Sequence, residues 1–357
     1  MANYAASEYS RTSSIKTHAN RRYTVIPYPK APLEVHPVPK YTPGPTELLV
    51  RNEVIGLNPV EAKTAILGVI PINYLEILGS TFGGTIEAVG SRVTKFHVGD
   101  RVVTSKRFKI KGNQYGAYQR FVVVKDIMVS RMPDEVDLAV PASLMMNLTC
   151  VVGLFTGRLG LRRPSMDGVA EPRSVKVLVY GGSSSFGGLS VQYLSQAGYK
   201  VVTTSSPKNR SFVDALGATV VIDHTLDQDA IINALLAEGP YDIVVDFISV
   251  ASTIAVTARV LEAQGGGTLY TIQPGSEALP AGVTRAFEPY SESLYEEKNR
   301  ELQEWVIDTY MPQGLAQSLI KPLPIEVVKG GLTQINETLQ TILNGSSGIR
   351  YVADPWD

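Results

Sequence analysis

The sequence predicts an α/β fold in two parts: a mostly β domain and a doubly wound parallel sheet. Three observations carry this expectation. Residues 21–50 and 79–130 consist of short strand-like runs cut by prolines and glycines. From about residue 147, apolar β-branched runs alternate with helical patterns, which implies a parallel sheet covered on both faces. The first of those strands runs into Tyr180-Gly181-Gly182-Ser183-Ser184-Ser185-Phe186-Gly187-Gly188. A strand, a glycine-serine turn and a helix start form a phosphate site, because the turn lets the backbone approach and the helix end offers unpaired N–H groups.

The β part comes first. Pro27, Pro29, Pro32, Pro37, Pro39, Pro43 and Pro45 separate runs such as 22–26 and 47–54. Gly79, Gly83, Gly84, Gly90, Gly99 and Gly112 punctuate the runs 85–89, 101–104 and 118–124, a rhythm of partly barrel-like short strands. In the second part strands are expected at 175–179, 200–204, 219–222, 243–246 and 268–272. Helices are expected at 188–197, 210–216, 229–236 and 252–261. Residues 162–173 read as an exposed loop and 292–310 as one long amphipathic helix. A further strand–helix pair follows, and the chain closes through Arg350-Tyr351-Val352.

The 357 residues suffice for about two domains, and a hydrophobic share of 44% supports a sizeable core. With 33 basic and 34 acidic residues the net charge is −1, which argues against nucleic acid or an anionic membrane as partner. The single cysteine, Cys150, excludes a disulfide framework and a cysteine-based zinc site. Residues 1–20 are polar and serine-rich without an apolar signal core, so a loose tail is expected. No stretch is expected to reach the roughly 18–20 apolar residues of a membrane span. A cytoplasmic protein is the resulting expectation.

In the usual dinucleotide fingerprint three glycines are spaced G-x-G-x-x-G, and here those positions hold Gly182, Ser184 and Gly187. The serine weakens the motif, while the β-α-β series around it strengthens it. Ser183, Ser185 and Phe186 complete the turn. The second strand ends in Thr203-Thr204-Ser205-Ser206 without the acid that holds an NAD ribose, and Lys208 and Arg210 follow. Hydroxyls with two cations suit a 2′-phosphate, so NADPH is the expected cofactor. The alternative is a solvated helix start.

The chain resembles the medium-chain dehydrogenases/reductases. The resemblance is carried in order by Gly56-Leu57-Asn58-Pro59-Val60-Glu61-Ala62-Lys63, Leu78-Gly79-Ser80-Thr81-Phe82-Gly83-Gly84-Thr85-Ile86, Val98-Gly99-Asp100-Arg101-Val102, Gly116-Ala117-Tyr118, the glycine turn, Leu216-Gly217-Ala218 and Val328-Lys329-Gly330-Gly331. It is most similar to the fungal trans-acting enoyl reductases of polyketide biosynthesis, through 178–183, 204–209, 246–249 and 327–332. The resemblance implies a GroES-like catalytic domain (21–146 with 288–357), a Rossmann domain (147–287), NADPH and a cleft between them. Zinc-dependent members place a Cys at Asn58 and a His–Glu pair at Thr81 and Phe82. With none of these, and with His18, His36, His97 and His224 scattered, no metal is expected.

A site without a Lewis acid suits reduction of an activated C=C bond. The resemblance makes Lys63 the first candidate donor, to hold a substrate carbonyl or the cofactor ribose; a surface lysine paired with Glu61 is the alternative. Asn58 is expected to line the pocket. Tyr118 is a cleft donor or plain packing. Thr149 occupies the place where the family commonly touches the nicotinamide. Ser249, Ile272 and Gln273 follow the later strand ends, where the nicotinamide should lie. Met145-Met146 suggests an adaptable apolar wall or simple core. Lys106, Arg107, Lys109 and Lys111 form either a basic rim for a carrier-bound acyl chain or a solvated loop. The substrate is thus a small molecule or an acyl chain on a carrier such as a polyketide synthase, and the protein a monomer or a homodimer. Competing functions are a reductase of free enones or quinones, a non-redox isomerase or cyclase, and a binding role.

Overall fold

The computed structural model describes residues 23–166, 170–345 and 347–357. The tail expected at 1–20 lies outside the described residues, as do Arg22 and Gly168. The β part contains β1 (Tyr23–Ile26), β2 (Glu34–His36), β3 (Glu47–Leu57), β4 (Glu76–Ile77), β5 (Thr81–Val89), β6 (Arg101–Ser105), β7 (Phe121–Lys125) and β8 (Val129–Arg131). β1, β2 and β4 form a small sheet of their own, while β3, β5, β6, β7 and β8 belong to a larger one. Burial alternates only weakly along β3, because both of its faces are covered: ten of its eleven residues are at least half-buried.

The second part is a six-stranded parallel sheet. Its strands are β9 (Lys176–Tyr180), β10 (Lys200–Ser205), β11 (Val220–Asp223), β12 (Ile243–Asp246), β13 (Gly267–Thr271) and β14 (Val283–Phe287). The spatial order is β11-β10-β9-β12-β13-β14. The order reverses between β9 and β12, and a crevice opens there beyond the strand ends. Val177, Leu178 and Val179 are fully buried, as expected for a strand covered on both faces. β14 escaped the sequence reading. It carries Arg285 in mid-strand, and that charge is tied to Glu277 at 2.8 Å.

Two late strands, β15 (Ile325–Val328) and β16 (Arg350–Ala353), return to the β part. β16 lies antiparallel to β3, with Tyr351 opposite Leu57. The last strand is thereby laid beside the segment that carries Asn58.

Two expectations need correction. Residues 292–310 are not one helix. A 3₁₀ turn, Tyr290–Tyr295, stops at the extended Glu296, and helix resumes at Arg300. Asn299 fixes the break by donating to Ser293 O at 2.8 Å and Gly157 O at 3.3 Å. A stretch long and apolar enough to cross a membrane does exist, the helix Ala139–Arg158. Two-thirds of its most apolar window is buried within the protein, so its apolarity reflects core packing between the two parts.

Candidate active site

The glycine turn is shaped by contacts that admit no side chain. Gly181 has φ +94°, outside the range L side chains favour. A Cβ on Gly182 would stand 2.3 Å from Thr203 Oγ1, and one on Gly187 would stand 2.1 Å from Gly181 O. Ser184, at the middle fingerprint position, accepts a hydrogen bond from Gly187 N–H at 3.0 Å and caps the helix Ser185–Gln196. The serine therefore has a local reason, and the geometry fits a dinucleotide phosphate.

Two cavities open over this turn. One, of about 590 Å³, is lined by Tyr180, Gly181, Ser183, His224, Thr253 and the 347–351 segment among others. The other, of about 630 Å³, is lined by Asn58, Lys63, Phe108, Met146, Phe186, Phe247 and Gln273 among others. Pro59, Ser184, Ser185 and Arg350 face both, so the two meet across the turn. The walls of the larger cavity are mostly apolar.

On the β side, Pro59 starts a short helix, Pro59–Ala62, which widens into a π turn, Lys63–Leu67. Asn58 holds the capping position but makes no cap. Its amide donates to Thr81 Oγ1 at 3.0 Å, and its Oδ1 accepts from Arg350 Nη2 at 2.5 Å. Arg350 also donates to Ser143 O at 2.9 Å. Burial pushes the Arg350 pKa down to about 10, opposed by the Glu61 charge. Burial pushes Glu61 up, against hydrogen bonds from Ser80 and Asn58 and the Arg350 charge. Lys63 has no ion-pair partner among the described residues, and burial lowers its pKa. The surface pairing with Glu61 is thus not what the structure shows, since Glu61 is buried beside Asn58.

On the sheet side, Asp246 is fully buried and accepts from the Ile248 and Ser249 N–H groups, both at 2.9 Å. Burial raises its pKa against those bonds. This tight turn holds Ser249 at φ +55°. Ser249 Oγ accepts from Ile272 N–H at 3.0 Å, and Gln273 Nε2 donates to Ile248 O at 3.0 Å. The loops after β12 and β13 are thereby stapled together. Ile272 and Gln273 face the larger cavity, whereas Ser249 supports them from behind.

Several expected site residues stand elsewhere. Tyr118 is completely buried in the β core against Gly79, and its hydroxyl finds no hydrogen-bond partner among the described residues. It packs in the bend that precedes β7, with its ring against Gly79. Thr149 is buried and donates to Met146 O at 2.9 Å. The same helix presents Met146 and Asn147 to the cavity, and Asn147 Nδ2 donates to Ser185 Oγ at 2.7 Å. Met145 is core. Ser205 is buried and bonds its neighbour Ser206 O at 3.2 Å. Arg210 is committed to Asp214 at 2.9 Å and Val221 O at 3.0 Å. Ser205, Ser206, Lys208 and Arg210 line neither cavity, although Lys208 is exposed. Of the basic run, Arg107 pairs with Glu292 at 2.7 Å, and Lys106 turns into a side cavity where burial lowers its pKa against the charges of Glu76 and Glu61. Only Lys109 and Lys111 of that run are exposed.

Arg350 lines both cavities, and the sequence expectations did not include it. An arginine at the head of a short apolar strand was the available signal. The donors at Asn58 do not fit zinc: the Asn58 and Thr81 side chains are satisfied by each other and by Arg350. Among the described residues no three His, Cys, Asp or Glu side chains come together to hold a metal.

Residues 44–134 match the alcohol dehydrogenase GroES-like domain, and residues 186–291 match the zinc-binding dehydrogenase domain. The chain is 30% identical over 335 residues to the trans-enoyl reductase himH of Aspergillus japonicus, covering 90% of this chain and 93% of that one. Among solved structures it is similar to the CurK enoyl reductase, with a TM-score of 0.72, 18% identity, and 93% and 98% of the two chains covered. It is also similar to mycobacterial Rv1454c complexed with NADPH, with a TM-score of 0.73, 22% identity, and 94% and 99% covered.

Proposed function

This chain belongs to the medium-chain dehydrogenase/reductase family, and we propose that it is an NADPH-dependent, zinc-independent enoyl reductase acting on a polyketide acyl chain in trans. The observation that carries the reading is the cavity beside the glycine turn. Its only titratable side chains among the described residues are Lys63 and Arg350, and Arg350 is committed to Asn58 and Ser143. Lys63 is thus the ionisable side chain with free donors at the site.

A nicotinamide cofactor, when bound, supplies a hydride to the carbon β to the acyl carbonyl. Negative charge then develops on the carbonyl oxygen, and Lys63 stabilises it by donating a hydrogen bond from its ammonium. The α-carbon takes a proton, for which Lys63 is the acid in reach of the cavity. Burial suits this role, because a lowered pKa brings the ammonium closer to transfer at neutral pH. Asn58 and Arg350 hold the wall, and the apolar residues Phe186, Phe247 and Ile272 exclude water from it. The stapled Ile248–Gln273 loops fix the floor.

The test is oxidation of NADPH by the purified protein with a 2-enoyl thioester, in wild type and Lys63→Met. Oxidation in wild type and a loss of at least about a hundredfold in the variant are expected. NADPH binding without oxidation across a panel of acyl lengths would favour an isomerase or cyclase in the same cleft.

A further inference from the structure

Behind the wall of the 630 Å³ cavity lies a smaller one, of about 90 Å³, faced by Glu61, Thr64, Glu76, Ser80 and Lys106 among others. Val60, Ile70 and Phe108 line both cavities and so form the partition between them. Val60 belongs to the helix that carries Lys63. Phe108 is different. It sits on a strap between β6 and β7 and is 51% exposed, so its ring contributes little burial energy.

Its backbone is nonetheless pinned by a residue far away in the sequence. Glu292 accepts from Arg107 Nη2 at 2.7 Å and from Phe108 N–H at 3.1 Å. The Glu292 side chain is only 10% exposed, which shields this charge-assisted pair from solvent. The Arg107 guanidinium also lies 4.1 Å from the centre of the Tyr295 ring. One carboxylate thus holds the backbone from which the Phe108 ring projects.

We infer that Phe108 determines the length and bulk of the acyl group this cleft accepts, with Glu292 as the residue that positions it. This rests on the reading of the larger cavity as the acyl site. Phe247, Ile272 and Gln273 face the cavity from the parallel sheet, whereas Phe108 faces it from the β part. Phe108 also borders the side cavity, which Lys63 does not, so in this proposal its ring meets the acyl tail rather than the reacting carbons. Removing it joins the side cavity to the main one, and a larger ring narrows the passage.

The experiment compares wild type, Phe108→Ala, Phe108→Trp and Glu292→Gln. Affinity of the NADPH-loaded protein for unreactive butyryl, octanoyl and dodecanoyl N-acetylcysteamine thioesters is measured by calorimetry. kcat and KM are measured with the matching 2-enoyl thioesters. Phe108→Ala is expected to raise the dodecanoyl-to-butyryl preference about tenfold, on the scale of one methylene in an apolar pocket. Phe108→Trp is expected to lower it. Glu292→Gln is expected to shift it as Ala does but less, through KM with kcat retained. Identical length profiles in all four folded proteins overturn the inference, as does binding of none of these thioesters. If the thioesters bind but no enoyl thioester oxidises NADPH, the redox reading fails while the binding profile still decides the role of Phe108.

Discussion

The two walls of the cleft are built in opposite ways. The wall at the glycine turn is contiguous: Gly181 to Gly187 shape it within seven residues, and Thr203, Thr204 and Ile248 support it from the neighbouring strands. The opposite wall is assembled from Asn58, Lys63, Met146, Asn147 and Arg350, and the Arg350–Asn58 bond spans 292 residues. A contiguous wall fails when its backbone geometry fails. An assembled wall fails when a long-range polar contact is removed.

The sharpest way to break the comparison is at Gly187. An alanine there meets backbone, Gly181 O, which cannot move aside cheaply. Gly187→Ala is expected to weaken NADPH binding by roughly a hundredfold or more, about 2.7 kcal/mol, read by calorimetry. An unchanged Kd would mean that the turn is not the phosphate site.

Next in size is Arg350→Met. It strands Asn58 Oδ1 in a buried setting and removes a second bond to Ser143 O. The expected cost is about 2–4 kcal/mol of stability, together with weaker cofactor binding because Arg350 faces both cavities. Denaturant melts of the variant check the first effect.

Lys63→Met separates chemistry from binding: NADPH affinity should stay within about threefold while turnover collapses. Its pH signature has a definite sign. Burial lowers the Lys63 pKa below its usual 10.5, so the folded protein holds that proton less well than the unfolded chain. Between the folded value and 10.5, stability from this group rises with pH. Activity that needs the ammonium falls over the same window. Both limbs should vanish in Lys63→Met, as pH–rate profiles and melts at stepped pH will read.

The smallest effects are expected beyond β10. Lys208→Ala should lower the NADPH-to-NADH preference by roughly threefold to tenfold, a share of a solvent-exposed phosphate contact. Arg210→Ala should change it by less than about twofold, because Arg210 is already held by Asp214 and Val221. A larger effect of Arg210 than of Lys208 would show that the Asp214 pair opens when the cofactor binds.

The same contrast explains what the sequence made legible. The parallel sheet announced itself through β-branched runs such as Val177-Leu178-Val179, and the turn through its glycines, because both are local signals. β14 did not, since Arg285 interrupts its apolar pattern. Tyr118 and Thr149 are buried away from both cavities, and residue type and neighbourhood do not reveal which way a side chain turns. Asn58 lines the cavity, but its bond to Arg350 depends on β16 pairing with β3, a contact no local pattern encodes. The strap at Phe108 was read only as a basic run, and its tie to Glu292 is equally non-local.

The central claim is that this cleft reduces a C=C bond with hydride from a nicotinamide and a proton passed through the β-side wall. The most direct test is a reaction of a 2-enoyl thioester with NADPH carrying deuterium at the transferable position, run in parallel with unlabelled NADPH in D₂O. The account predicts one deuterium on the β-carbon in the first reaction and one on the α-carbon in the second. A saturated product lacking the cofactor's label, or a rearranged acyl chain with NADPH unconsumed, would contradict it.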